Sequence, residues 1–400
     1  MDNQLLTGEL EKIKSMEQNR YPLNLPLDFI ALVKLSLKEL DIYYEEKTEN
    51  NRKNIFVYYQ KELISKFFKG KYPNNTFLGR RISNDKMMTD YYLKLSNIPT
   101  PSSKVFTADE LAEARNYIKI FDSDFVVKAI NLLGGAGVYT DVNQSNFHKY
   151  WKKCLEVQKK YYPKLTPKIL IQQQVNGLDI RINVAEGIVQ SAILRLPGYV
   201  IGDGVSSIKQ LIEYKNNERS RNPYLYKNKL KLTDELISSI KDQGFSMSDI
   251  LNEGEGFLLT KQPALRFGGE VINVTKIIDP EILNLGLSSV RAIPGLHTGG
   301  VDLLIHGLDS KDGYVIEVNK NPAFQMCIYT DRGVPHNPIT EIYKSHILDH
   351  KILKDEIKTK SSLNDDEFKL LVERYKYLYE KDKVNSNIIK NYHNEKFEKK

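Results

Sequence analysis

The 400-residue chain is 41% hydrophobic and 27% charged, which excludes general disorder and suits one large enzyme built from lobes or two to three domains. Its net charge of +7 suits phosphate- and carboxylate-handling chemistry, while the absence of a Lys/Arg tract interleaved with aromatics in the first 340 residues argues against nucleic acid. Cys154 and Cys327 form neither a disulfide framework nor a Cys/His zinc cluster, and MDNQLLTGELEKIK is no secretory signal, so a cytoplasmic, reducing environment is expected.

In chain order, Leu27 to Leu40 carries apolar residues at helical spacing. The run Phe29 to Leu37 is short and broken by Lys34, so no membrane partner is expected. Ile55 to Tyr59 reads as a strand, and residues 1–85 hold no chemical motif. Asp85 to Leu95 reads as a helix stopped by Ile98-Pro99-Thr100-Pro101. Thr107 followed by Glu110 is a capping-box pattern for a helix through Ile120.

From Phe125 the texture turns to strands. Phe125 to Ala129 leads into Gly134-Gly135-Ala136-Gly137 and resumes at Val138-Tyr139. Lys168 to Val175 is another strand, and Ile180 to Val184 pairs with Val189 to Leu196 around Glu186-Gly187. A helix at Ile208 to Asn216 precedes a polar, helix-bearing stretch, 217–256. Glu270 to Val274, Gly300 to Ile305 and Tyr314 to Val318 are strands, and Glu281 to Ala292 is a helix. The alternation predicts α/β or α+β architecture. From Leu353 the chain reads as solvated helices fraying into a basic tail.

The chemistry-bearing residues fall within this pattern. Alternate residues of a strand share a face, so Glu317 and Asn319 point together out of an apolar strand, with Asp302 on a neighbouring one. Two carboxylates and an amide oxygen suit magnesium held jointly with nucleotide phosphates. Glu-x-Asn alone is more often a water-exposed sheet face; the apolar frame and the Asn321-Pro322 turn narrow that gap. Lys128 precedes the glycine run, whose backbone N–H groups could close over phosphate oxygens as a mobile lid at 133–138. The run is neither a Walker loop nor a dinucleotide fingerprint, because it lacks Gly-Lys-Ser/Thr and leads to a strand. Lys86 opens a helix. The strand end Gln172-Gln173-Gln174-Val175 offers backbone groups to an adenine, and Asp179 a carboxylate to a ribose. Arg195 lies just before Pro197-Gly198-Tyr199-Val200-Ile201-Gly202-Asp203-Gly204.

In order and spacing these segments resemble the ATP-grasp superfamily, and within it the ATP-grasp modules of cyanophycin synthetase and bifunctional glutathione synthetase. The resemblance spans about residues 80–345 and is carried by 199–212, Asn216 to Arg219, Gly268 to Thr275, Glu317 to Pro322 and Gly333-Val334-Pro335. It implies an α+β ATP-grasp fold whose two lobes clamp ATP. An N-terminal domain, 1–85, would precede a central lobe, 86–165. A C-terminal lobe, 166–345, would carry an insertion at about 199–257 and be followed by a charged helical extension, 346–400.

The resemblance also implies roles. Lys86 and Lys128 would contact phosphates, with Gly134, Gly135, Ala136 and Gly137 in the loop over them. Gln172, Gln173, Gln174 and Val175 would line the adenine pocket, and Asp179 would meet the ribose. Arg195 and Lys128 would serve the transferring phosphoryl group. Asp302, Glu317 and Asn319 would hold Mg2+, and Arg266, Gly268 and Gly269 would lie near substrate. Departures from the relatives include Gln172 for glutamate, Ala129 for proline, Asn273 for aspartate and a changed stretch from Thr260 to Phe267, so the substrates are expected to differ more than the reaction. The expectation is a stand-alone ADP-forming ligase that joins an acid to an amine, both amino acids or peptides, using ATP and Mg2+. A modifier of a ribosomally made peptide, with the tail 353–400 as leader surface, and a non-catalytic nucleotide-binding regulator are the alternatives. A homo-oligomer is compatible with the resemblance.

Overall fold

The computed structural model describes residues 1–49, 51–68, 71–130, 132, 137–260, 263 and 265–398, and the side chains of these except Arg52, Arg266 and 391–398. Contacts divide the chain into two compact units, Met1–Ile98 with Gly177–Lys400, and Pro99–Asn176.

The first unit begins with α1 (Asn3–Ile13), capped by the Asp2 carboxylate on the Leu5 N–H. Next come α2 (Phe29–Glu39), capped by Asp28, and an antiparallel meander of β1 (Tyr43–Glu49), β2 (Arg52–Tyr59) and β3 (Glu62–Phe68). Helices α3 (Phe77–Asn84) and α4 (Lys86–Leu95) follow. Residues 1–85 do not build a core of their own. Leu6, Leu10, Ile13 and Ile82 join one core, and Leu32, Val33, Leu37, Ile55 and Phe67 join another.

The second unit contains β4 (Ser103–Thr107), α5 (Leu111–Lys119), β5 (Phe125–Ala129), β6 (Val138–Val142), α6 (Phe147–Tyr161) and β7 (Lys168–Gln173). The strands form an antiparallel sheet in the order β4-β7-β5-β6, and Phe147, Trp151 and Cys154 of α6 join its core. Glu110 accepts from the Thr107 N–H at 2.6 Å and from its hydroxyl at 2.8 Å, yet the helix starts only at Leu111. The capping-box residues therefore close a turn ahead of the helix.

The chain then returns to the first unit through β8 (Leu178–Ala185), β9 (Ile188–Leu196), β10 (Tyr199–Ile201), α7 (Ile208–Arg219), α8 (Asp234–Asp242), β11 (Gly256–Leu258) and β12 (Glu270–Asn273). It ends with α9 (Pro280–Arg291), β13 (Gly299–Ile305), β14 (Tyr314–Asn319), α10 (Gln325–Ile328), α11 (Pro338–Leu353) and α12 (Asp365–Glu398). Five strands form an antiparallel sheet in the order β12-β9-β8-β13-β14. The β8–β9 hairpin turns on Glu186 and Gly187, both at positive φ, as its two-residue loop requires.

The sequence boundaries at 85/86 and 165/166 do not coincide with the edges of these units. Strand β7 bonds to β4 and β5, which keeps it in the unit ending at Asn176. Helix α4, with Lys86, belongs to the first unit and packs there against β14. The tail also departs from plain solvation. One side of α12 buries Tyr377, Lys381 and Ile388. The Tyr377 hydroxyl donates to the Leu296 carbonyl at 3.1 Å. The Lys381 ammonium donates to the carbonyls of Val290, Arg291 and Ile293 at 2.8–3.1 Å, closing the C-terminal end of α9.

Candidate active site

The five-stranded sheet sorts its side chains by strand alternation. One face carries Ile180, Ile182, Ala192, Leu194, Val301 and Leu303 into the core beneath α9. There Gly286 of α9 lies against Ile182, where an added Cβ would come within 2.5 Å of it. The other face carries Asp179, Arg181 and Asn183 on β8, Ser191, Ile193 and Arg195 on β9, and Asp302, Glu317 and Asn319 on β13 and β14. Ala185, Ile193 and Val271 belong to a core shared with α2, α10 and α11, which covers part of this face. The polar remainder is the candidate site.

Its charges interlock. Asp302 stands opposite Arg181 on one side and Glu317 on the other. Arg181 donates to both oxygens of Asp302, through Nε to Oδ1 and through a terminal nitrogen to Oδ2 at 2.9 Å. Arg195 reaches Oδ1 of Asp302 at 3.0 Å and donates through Nε to Asp179 at 2.8 Å. The Asn319 amide lies 3.2 Å from Oδ2 of Asp302. Burial pushes the Asp302 carboxyl up, but Arg181 and Arg195 outweigh it and hold it below the usual carboxylate range. Burial pushes Asp179 above that range; Arg195 opposes the shift and the neighbouring Asp302 adds to it.

The expected metal set thus shares one face, and the structure brings Arg195 and Asp179 to it. Among the described residues no group of three or more His, Cys, Asp and Glu is gathered for a metal ion. The donors here are two carboxylates and an amide, hard oxygens of the kind magnesium takes. Glu317 forms no hydrogen bond or ion pair among the described residues, while each oxygen of Asp302 already receives two donors. These residues fit magnesium once the longest contacts, those of Asn319 and Arg195, give way. Asn319 would then turn its amide oxygen inward. Three carboxylates and two guanidiniums leave the cluster near one negative charge, so a cation accompanied by phosphates suits it better than a bare one.

The other candidates are placed as follows. Lys86 is exposed at the first position of α4, whose N-terminus is capped by Asp85. In the unit 99–176, Lys128 donates to Oε1 of Gln172 at 2.7 Å. Gln173 and Gln174 donate backbone N–H groups to Ser102 and Asp124, and the Gln174 side chain is tied to Asp141 by bonds of 2.7 and 2.8 Å. Its side chain therefore serves the unit's own loops, and Val175 lies just past the end of β7. Gly134, Gly135 and Ala136 lie outside the described residues, as does the Arg266 side chain. Gly137 has φ of +66°, and a Cβ there would lie 2.7 Å from that of Ala129, so local packing accounts for this glycine. Gly268, also at positive φ, and Gly269 turn their carbonyls to the fully buried Arg219, 2.9 Å from each.

A second buried ionic cluster carries no signal at strand or helix spacing. Glu270 on β12 pairs with Lys215 at 2.9 Å and accepts from the Tyr199 hydroxyl at 2.9 Å, and the Lys215 ammonium lies 3.8 Å from the centre of the Tyr199 ring. Burial would raise Glu270, but Lys215 and Arg219 hold it below its usual range.

Two α+β units of this kind, one four-stranded and one built on the five-stranded sheet, are the lobes of the ATP-grasp fold, and this chain has that fold. A bifunctional glutathione synthetase from Pasteurella multocida matches it with a TM-score of 0.60 at 22% identity, over 80% of this chain and 44% of that one. In sequence, its homologues include the glutathione biosynthesis bifunctional protein GshAB of Streptococcus agalactiae, 29% identical over 268 residues, 64% of this chain and 34% of that protein. Cyanophycin synthetase of Trichormus variabilis is 28% identical over 267 residues, 65% of this chain and 28% of that protein. The chain thus spans about a third of the length of these curated relatives. No family model matches it.

Proposed function

We propose that this chain is an ATP- and magnesium-dependent carboxylate–amine ligase. It would phosphorylate a carboxylic acid at the expense of ATP and join the resulting acyl phosphate to an amine, releasing ADP and phosphate. The observation that carries this reading is the convergence of Asp302, Glu317, Asn319 and Arg195 on one polar sheet face. The substrates we infer are amino acids or peptides, the class named by glutathione and cyanophycin synthesis in the homologues. The cytoplasm is the compartment this reading requires, because it supplies ATP and magnesium.

The residues divide the work. Asp302, Glu317 and Asn319 would hold the magnesium, which when bound would supply positive charge to offset that of the phosphates. Lys86 and Lys128 would each supply positive charge for the phosphates. Arg195 carries a guanidinium for the charge that spreads over the phosphoryl oxygens in transfer. Positioning and cations suffice for this chemistry, and no side-chain nucleophile is needed. The test is incubation with ATP, magnesium and pooled amino acids and short peptides, followed by nucleotide analysis and mass spectrometry. A new amide with stoichiometric ADP is the expected outcome; AMP and pyrophosphate, or no turnover with any acid–amine pair, would refute the reading.

A further inference from the structure

We propose that Arg181 is a positioning residue that fixes the orientation of Asp302, and that residue 300 is glycine to leave room for it. Arg181 is 7% exposed and sits directly opposite Asp302 across the β8–β13 ladder. Its guanidinium meets the carboxylate side-on, Nε on one oxygen and a terminal nitrogen on the other. A planar fork on both oxygens sets the rotation of the carboxylate plane, which a single-point ammonium cannot do. Arg195 touches Asp302 with one nitrogen and directs its other contacts to Asp179. The orientation of Asp302 toward Glu317 and Asn319 is therefore set by Arg181.

Gly300 supports this independently. It lies two residues before Asp302 on the same face of β13, opposite Asn183. A Cβ there would lie 2.9 Å from Cδ and 3.0 Å from a terminal nitrogen of Arg181, and 3.0 Å from Cβ of Pro322. Gly300 is absent from the glycines at positive φ, so backbone conformation does not demand it. What a side chain there would meet is Arg181 on its path to Asp302, with Pro322 beside it.

The inference rests on the ligase reading, which gives Asp302 a metal-bound nucleotide to hold. The test is titration of the full-length protein with Mn2+ in saturating ADP, followed by electron paramagnetic resonance, for wild type, Arg181→Lys and Gly300→Ala. Lysine keeps the charge and removes the fork; alanine keeps the arginine and displaces it. Both variants should bind Mn2+ with ADP about tenfold more weakly, the usual effect of losing a group that orients a metal ligand. Their melting temperatures and metal-free ADP affinity should stay near wild type. Wild-type Mn2+ affinity in a folded Arg181→Lys or Gly300→Ala would overturn the inference and leave the ligase reading standing. Melting temperatures that fall in step with metal affinity would instead assign Arg181 to core stability and overturn it. No Mn2+ bound by the wild type with ADP would overturn the metal site itself, and the inference with it.

Discussion

Glu317 is the residue on which the proposed chemistry turns most directly, because among the described residues its carboxylate has no hydrogen-bond or ion-pair partner while that of Asp302 is surrounded by donors. Glu317→Gln keeps the shape and removes the charge; ADP-forming turnover should fall by roughly 100-fold or more, and melting temperature should not. Turnover within a few-fold of wild type would remove Glu317 from the metal site. Arg195→Ala should lower kcat with little change in ADP affinity measured by calorimetry, the signature of a contact made in the transition state. The structure adds a second consequence for that variant, since Asp179 and Asp302 lose a shared cation. The sequence placed Arg195, Asp302, Glu317 and Asn319 on strands, and period-2 alternation was enough to predict that Glu317 and Asn319 share a face. A pairing of Arg195 with a carboxylate of the sheet is compatible with the sequence, but nothing in it singles out Asp179, because that contact depends on the register of β8 against β9.

At the scale of elements, the insertion is tied to the five-stranded sheet by the Lys215–Glu270 pair. Helix α7 contributes Lys215 and Arg219, β12 contributes Glu270, and β10 contributes Tyr199. Removing one member of a buried pair leaves the other charge uncompensated, at a cost of about 3–5 kcal/mol. Lys215→Met should therefore shift the urea midpoint well below wild type, whereas replacing the exposed Lys209 of the same helix should not. Equal midpoints for the two variants would show that the pair contributes nothing net. Helix α12 makes a related point about patterning. Its sequence is charged enough to read as solvated, yet Tyr377, Lys381 and Ile388 recur on one side and dock. A buried lysine whose three donors all meet carbonyls is invisible to a hydrophobic-periodicity reading.

For the molecule as a whole, acid stability is set partly where α12 docks. His297, beside Tyr377, is pressed down to about 4, first by burial and then by Lys381 and Arg374, with Glu186 opposing. An unfolded imidazole titrates near 6.5. Between these values the unfolded chain binds a proton that the fold does not. The stabilisation is therefore full above about pH 6.5 and is lost as pH falls toward 4, by up to about 1.4 kcal/mol per pH unit. Melting temperature against pH should fall more steeply over that window for wild type than for His297→Gln. Superimposable profiles would mean that His297 titrates normally.

The amino-acid sequence by itself determined the strand alternation of the five-stranded sheet, the helices at α2, α4, α7 and α9, and the strand positions of Asp302, Glu317 and Asn319. These depend on local periodicity and on side-chain type, both of which a linear string contains. Only the tertiary structure decided that residues 1–85 divide their apolar side chains between two cores and that β7 belongs with β4 and β5. It likewise decided that Arg181, 121 positions from Asp302, grips both of its oxygens. Those facts depend on strand register and on packing between distant segments, where the balance of burial and charge is set by neighbours that spacing along the chain does not specify.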